Sequence, residues 1–245
     1  MAFESFRLIH HHDEGECTFC NEFSGKGEYN FRILFTADEF QSRILYHTEQ
    51  FVVLPGLGPL GNIYLLILPK EPYVSIASLP DRVLEEYQSF KNFVFKILSN
   101  NFGELISFEH GPSLSNKVNA GCCVEHAHLH VCVTDVDIFE DIQKDAQNGI
   151  FGYSGISPRK IKDVSDLKDW VDAGAAYIYY RGQDGVEWGF PVSTQIESQY
   201  LRKKLAMKLG VQDPGWDWLI HPNKEQVRAT WETLIPYFRG AHGSI

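Results

Sequence analysis

The stretch GCCVEHAHLHVCV, beginning at Gly121, puts three imidazoles at alternate positions: His126, His128 and His130. A neutral imidazole can ligate a metal, move a proton near neutral pH or attack phosphorus. Three readings are therefore open. The rings could clamp a zinc ion, although metal ligands more often converge from separate segments. Each could be an inert side chain satisfied by a neighbour. Or one ring could attack a phosphoryl group while another holds its oxygens. The alternation is informative, because successive side chains of a strand face opposite sides. Ala127, Leu129, Val131 and Val133 then form an apolar face, and the histidines line the other.

A second cluster lies upstream. CTFC sets Cys17 and Cys20 in a C-x-x-C pair, which is half of a tetrahedral zinc site or a pair of free thiols. The run His10 to His12 reads as solvated, since no second ligand cluster accompanies it. Five cysteines, two of them adjacent (Cys122 and Cys123), do not form a disulfide framework and fit a reducing compartment. The net charge of −10 argues against general nucleic-acid binding, which needs a basic surface. A local basic pocket for one phosphorylated small molecule remains compatible with it. No apolar run is long enough to cross a bilayer, and the first residues hold no secretory apolar segment, so a cytoplasmic location is expected.

The elements that must position these residues are legible in outline. YNFRILF, RILYHTEQFVVLPG and GNIYLLILPK read as strands bounded by Gly and Pro. Ser78, with Asp81 three residues on, is expected to cap a long helix. Val83, Tyr87, Phe90, Val94 and Ile97 form its apolar stripe, and SNNFG ends it. ELISFEHG is a further strand, and the histidine stretch the next. Beyond Asp135 come the short helices DIFEDIQKDAQ and SDLKDWVDAG. They are followed by a hairpin around QDG, a helix ending at Gly210 and a last helix capped by Asn223. With 44% hydrophobic residues and no linker-like stretch, the chain reads as residues 1–135 with an extension, 136–245, packed on them. Lys70 and the rings of YIYYRG and WDW are more simply a solvated lysine and core aromatics than ligand contacts.

HAHLHVC resembles the histidine triad (HIT) motif: His, apolar, His, apolar, His, apolar, apolar. The segment ILYHTEQFVVLPGLGPLGNIYLLILPK resembles that family's first strands, and FEHG…AGCCV stands where the family carries its glycine-containing phosphate loop. The likeness spans about residues 15 to 134. It implies an α+β fold, a HIT-like antiparallel sheet packed with a long helix, here with an α/β C-terminal extension. It also implies a nucleotide or nucleotide conjugate as substrate and cleavage at its α-phosphate through a nucleotidyl-histidine. By position, His128 is the nucleophile, His130 donates to phosphate oxygens, and His126 orients His128 or binds metal. Backbone amides near Gly121 would cradle the phosphate.

In zinc-bearing relatives Cys17, Cys20 and His126 would share the ion with a histidine that is Pro72 here. A fourth ligand would then have to be His47, one of His10 to His12, or water. Two further departures stand out. Cys122 and Cys123 replace the polar pair that many members carry after the glycine, leaving a weakly donating thiol at Cys123 beside the leaving group. Glu109 replaces an Asn, and is expected to bind ribose hydroxyls or to fix His110. Arg202 could reach phosphate from the extension. Hydrolysis is the favoured outcome, with a nucleotidyltransferase using the extension for its acceptor, or a silent nucleotide-binding module, as alternatives. A DNA-end-processing enzyme of the aprataxin branch would need a basic surface that the acidic balance opposes. Homodimerisation is common in the family.

Overall fold

The computed structural model describes residues 17–113, 115, 117–152 and 158–240; His10 to His12 lie outside them. The chain opens with two short helices, α1 (Thr18–Ser24) and α2 (Asn30–Leu34). The run YNFRILF, expected as a strand, contains α2 instead. Phe31 and Leu34, three residues apart, share one helical face and bury beside Leu57 and Trp218, a packing that an alternating strand would split. Then come β1 (Tyr46–His47), β2 (Phe51–Pro55) and β3 (Ile63–Pro69).

The long helix α3 spans Asp81–Phe102 and buries Val83, Tyr87, Phe90, Val94 and Leu98. Ser78 does not cap it. Its Oγ accepts the Ser75 N–H at 3.2 Å and closes a separate 3-10 turn, and α3 starts after Pro80. Pro80 leaves no N–H to satisfy at that point and fixes the entry of the helix.

Strand β4 (Leu105–Gly111) and strand β5 (Leu129–Val133) follow, then α4 (Phe139–Gln147), β6 (Arg159–Ile161), α5 (Lys168–Asp172), β7 (Ala176–Arg181) and β8 (Glu187–Val192). Two helices end the described chain, α6 (Tyr200–Lys208) and α7 (Lys224–Gly240). The eight strands make one antiparallel sheet in the order β1-β2-β3-β5-β4-β7-β8-β6. Residues beyond 135 therefore extend the sheet as well as covering it: β7 pairs along β4, with Ile178 opposite His110.

Both faces of this sheet are buried, which is why β2 and β3 read as continuous apolar runs rather than alternating ones. Ile63, Leu65 and Ile67 face α3, together with Leu129 and Val131. Tyr64, Leu66 and Leu68 face the other way, toward a layer that includes Ile142 of α4 and Leu201 of α6. The extension's segment 216–222 crosses close over Gly58. A Cβ there would come within 2.7 Å of the Trp218 backbone, and its φ of +57° also favours glycine. Among the described residues no helix is long and apolar enough to cross a membrane.

Glu109 lies on the α3 side of β4, the face opposite the histidines. Its Oε1 accepts the Ile76 N–H at 2.7 Å and its Oε2 the Tyr177 O–H at 2.6 Å, so it joins the 3-10 turn to β7. It does not share the triad's face, which Phe108 and His110 take instead, so it is placed away from His110 and the histidine side. Burial pushes the Glu109 carboxyl up to about 7, against the pull of its two donors. A carboxyl whose folded pKa is raised holds its proton more tightly when folded, so its contribution is present below about pH 4.5 and is lost as pH rises through about 7. Denaturant unfolding of the wild type should therefore show stability falling between pH 5 and 8. Glu109→Gln, which keeps an acceptor without the charge, should flatten that slope; an unchanged slope would exclude Glu109 as its source.

Candidate active site

The ladder of β5 begins only at Leu129, so His130 alone of the three histidines is within it; His126 and His128 lie on the extended segment just before. The parity nevertheless carries through. All three rings are less than one-tenth exposed: His126 lies against Phe19 and Phe23 of α1, and His128 and His130 share a cavity with residues of the extension. A buried imidazole needs its nitrogens satisfied, and the partners here define their roles.

His128 Nδ1 is 2.6 Å from the His126 carbonyl oxygen. A carbonyl only accepts, so the proton sits on Nδ1 and Nε2 keeps its lone pair. Burial lowers the pKa of His128, only partly opposed by that hydrogen bond, which keeps the ring neutral. His130 Nδ1 is 2.8 Å from the Tyr64 hydroxyl, and its ring stacks on Phe108 with centroids 4.7 Å apart. A hydroxyl can donate or accept, so this bond alone does not fix the tautomer; where Tyr64 donates to Nδ1, the His130 proton is on Nε2. The rings of His128 and His130 stand 4.7 Å apart, edge to face.

His126 faces elsewhere. Its Nε2–H donates to the Pro69 carbonyl at 2.8 Å, which leaves Nδ1 as the basic nitrogen, 3.2 Å from Cys17 Sγ and 3.7 Å from Cys20 Sγ. Cys17 is the N-cap of α1, and its sulfur accepts the Cys20 N–H, which turns both sulfurs to one side. Tetrahedral zinc ligands lie about 3.5 Å apart, so the spacing suits one small cation, and these three residues could hold a metal ion. Without a cation Cys20 stays a thiol, its pKa pushed up to about 12 by burial first and then by Cys17. His47, considered as a fourth ligand, is exposed on β1 with its Nδ1 beside the Thr48 carbonyl, and is not part of the group. Lys70 likewise bonds the Thr48 carbonyl and stays out of the site.

His128 and His130 open on a narrow cavity. Phe19, Leu57 and Val124 give it apolar walls, and the extension supplies Gln199, Arg202 and Trp218. The loop before the triad is held from the extension side. Gln199 N–H donates to the Gly121 carbonyl at 2.8 Å, and the Trp218 indole N–H approaches Cys123 Sγ at 3.4 Å. Gly121 has φ +83°, and a Cβ there would stand 2.9 Å from the Glu197 carbonyl. Gly121 and Cys123 thus line the cavity, with Cys123 also an acceptor for Trp218. The amides of Gly121 and Cys122 do not cradle a phosphate: they are taken by the Asn119 side chain and carbonyl.

Four of the residues expected at the site, His128, His130, Gly121 and Cys123, share this cavity with Arg202, while His126, Cys17 and Cys20 form the adjoining cation group and Glu109 is elsewhere. His110, Tyr64 and Gln199 line the cavity without having been singled out for it, and so does Trp218, a ring of WDW that was read as a core aromatic. Burial takes the pKa of His110 down to about 3, and its Nε2 accepts the Leu201 N–H at 3.2 Å. This is a fourth neutral ring, with Nδ1 protonated. Its place follows from strand register, since Phe108 stands opposite His130.

Comparison with known proteins bears on the fold. The family model described as "Scavenger mRNA decapping enzyme C-term binding" matches residues 29–145, which include the triad. A curated relative, a UPF0398 protein of Latilactobacillus sakei subsp. sakei (strain 23K), is 34% identical over 89 residues, 35% of this chain and 45% of the relative. The chain thus spans less than half the length of that relative. Two solved structures are similar at low scores. A HIT family member from Bacillus subtilis is 16% identical, with 58% of this chain and 99% of that one covered and a TM-score of 0.37. A hypothetical histidine triad nucleotide-binding protein from Sulfolobus tokodaii is 18% identical, with 63% and 88% covered and a TM-score of 0.36. With three alternating histidines on an antiparallel sheet, a long helix behind them and the family model lying across that unit, the chain carries a HIT-like fold.

Proposed function

We propose that the chain is a hydrolase of nucleotide derivatives that works through a nucleotidyl-His128 intermediate. The observation that carries this reading is the hydrogen bond from His128 Nδ1 to the His126 carbonyl, because it leaves Nε2 as an unprotonated nucleophile in a residue that lines the cavity. The Nε2 lone pair forms a bond to the α-phosphorus, and the phosphorus–oxygen bond to the leaving group breaks with its electron pair staying on that oxygen. His130 Nε2–H meets the charge that builds on the phosphoryl oxygens. Water then adds to phosphorus, the phosphorus–nitrogen bond breaks back to Nε2, and the water proton passes to solvent. Phe19, Leu57, Val124 and Trp218 offer apolar surface for a base.

The extension favours hydrolysis over transfer. Gln199, Arg202 and Trp218 wall the same cavity that holds the triad, so the second acceptor entering it must be small. Of the cations that could occupy the adjoining group, zinc best suits two thiols and an imidazole, and when bound it would fix α1 against the triad strand. Cys17, Cys20 and His126 would hold it.

His128→Ala should lower hydrolysis of the best substrate among ATP, GTP, UDP-sugars and dinucleoside polyphosphates by at least about a thousandfold while leaving the fold intact by circular dichroism. Retained turnover would refute the nucleophile. Elemental analysis of purified protein should find one zinc per chain, lost together with several degrees of melting temperature in the double variant Cys17→Ser, Cys20→Ser. Wild-type protein that is folded and metal-free after preparation with zinc present would refute the metal.

A further inference from the structure

His110, near the end of β4, is a fourth imidazole in the cavity, and the triad motif gives it no role. Strand register puts it there. Phe108 stands opposite His130, so His110, two residues on along the same face, comes level with the segment that carries His128. Its ring is 4% exposed and stands edge to face with the His130 ring, centroids 6.2 Å apart.

The two nitrogens of His110 have different surroundings. Nε2 accepts the Leu201 N–H at 3.2 Å. Leu201 is the second residue of α6, so its amide is one of those at a helix start that find no acceptor within the helix. An amide N–H only donates, so Nε2 carries no proton and the neutral ring holds its proton on Nδ1. Protonating Nε2 as well would set two N–H groups against each other, and burial, with His128 and Arg202 nearby, takes the pKa down to about 3. The ring is thus a neutral donor throughout the physiological range. Nδ1 makes no hydrogen bond to a described residue, yet it is not one of the interior polar atoms sealed without a partner. The opening it meets is the cavity that His110 lines.

Other donors around the cavity are already committed. The amides of Gly121 and Cys122, the expected phosphate cradle, are taken by Asn119. The Trp218 indole N–H is turned to Cys123 Sγ, and Gln199 Nε2 to Asp217. The Arg202 guanidinium is held by the Gly58 and Trp216 carbonyls, by Gln199 and by Tyr64. His128 must keep its Nε2 lone pair to attack. We propose that His110 is a further catalytic residue, its Nδ1–H donating a hydrogen bond to a phosphoryl oxygen of the group that His128 attacks. This rests on the nucleotidyl-transfer reading above. His128 Nε2 forms its bond to phosphorus, the bond to the leaving oxygen breaks with its electron pair going to that oxygen, and the charge on the non-bridging oxygens meets the His110 N–H. The proton stays on Nδ1 throughout. A neutral imidazole held at a helix N-terminus suits such a role, because it polarises its partner without giving up its proton.

Two substitutions separate the nitrogens. In His110→Asn the side-chain amide stands near the place of Nδ1, and Leu201 loses its acceptor. In His110→Gln the amide stands near the place of Nε2, where its oxygen can accept the Leu201 N–H, and the cavity donor is lost. His110→Gln should keep its melting temperature and lose about a hundredfold in kcat with KM little changed. His110→Asn should lose several degrees of melting temperature but no more than about fivefold in kcat. Near wild-type kcat in His110→Gln, or a loss in His110→Asn as large as that in His110→Gln, would overturn the proposal and leave His110 a cap for α6. Each variant decides by itself if the other does not fold. Wild type carries the test if neither does. In its ¹H–¹⁵N imidazole spectra His110 should stand as the Nδ1–H tautomer, and that proton signal should shift when inorganic orthophosphate is added. An unshifted signal, or an Nε2–H tautomer, would overturn the proposal. Because this arm needs no turnover, a shift in a protein that hydrolyses no nucleotide and forms no adduct would refute the nucleotidyl-transfer reading while sustaining the donor.

Discussion

The 2.6 Å hydrogen bond between His128 and the carbonyl two residues before it is the constraint on which the site depends. It requires that the backbone at His126 stay extended, which the sheet enforces: the Ala127 amide is bonded to the Tyr73 carbonyl, and Leu129 already pairs with Ile67. It also requires that water be kept from competing for the imidazole, which needs the histidine face to be covered. A strand with one solvated face would have supplied the geometry without the fixed tautomer. Here α3 seals one side of the sheet and the layer containing α4 and α6 seals the other, so each imidazole has a defined protein partner.

Burial then separates the roles of three chemically identical side chains. His126 turns its basic nitrogen to two thiols, His128 turns its basic nitrogen to the cavity, and His130 ties its Nδ1 to the Tyr64 hydroxyl and lines the same cavity. The differences come from what each second nitrogen meets: the Pro69 carbonyl, the His126 carbonyl and the Tyr64 hydroxyl. The last 110 residues contribute to the same end from a distance. β7 occupies the open edge of β4, and α6 with the segment that follows it clamps the Gly121 loop and delivers a guanidinium.

Much of this was legible in the residues, and what was not has a physical reason. Period-two alternation placed the histidines on one face, and the α3 stripe followed from steps of three and four, because both signals are local. YNFRILF misled because a short aromatic-rich run suits either a strand or one turn of helix, and only packing against Leu57 and Trp218 decides between them. Glu109 was assigned by position in a motif, and His110 entered only as a residue it would fix. Which of them shares the triad's face depends on β4 standing with Phe108 opposite His130, a register fixed by contacts distant in sequence. The same is true of Gln199 and Trp218. Arg202 was visible as a cation in a helix, but its burial against Tyr64 is a property of the folded environment alone.

The most direct test of the account is to trap the intermediate. Wild-type protein mixed briefly with nucleotide substrates and quenched without acid should show, by intact-protein and tandem mass spectrometry, one nucleotidyl group on His128, with its mass naming the base. Turnover of a substrate with no adduct on any histidine under these conditions, or an adduct that maps to His126 or His130, would contradict the account.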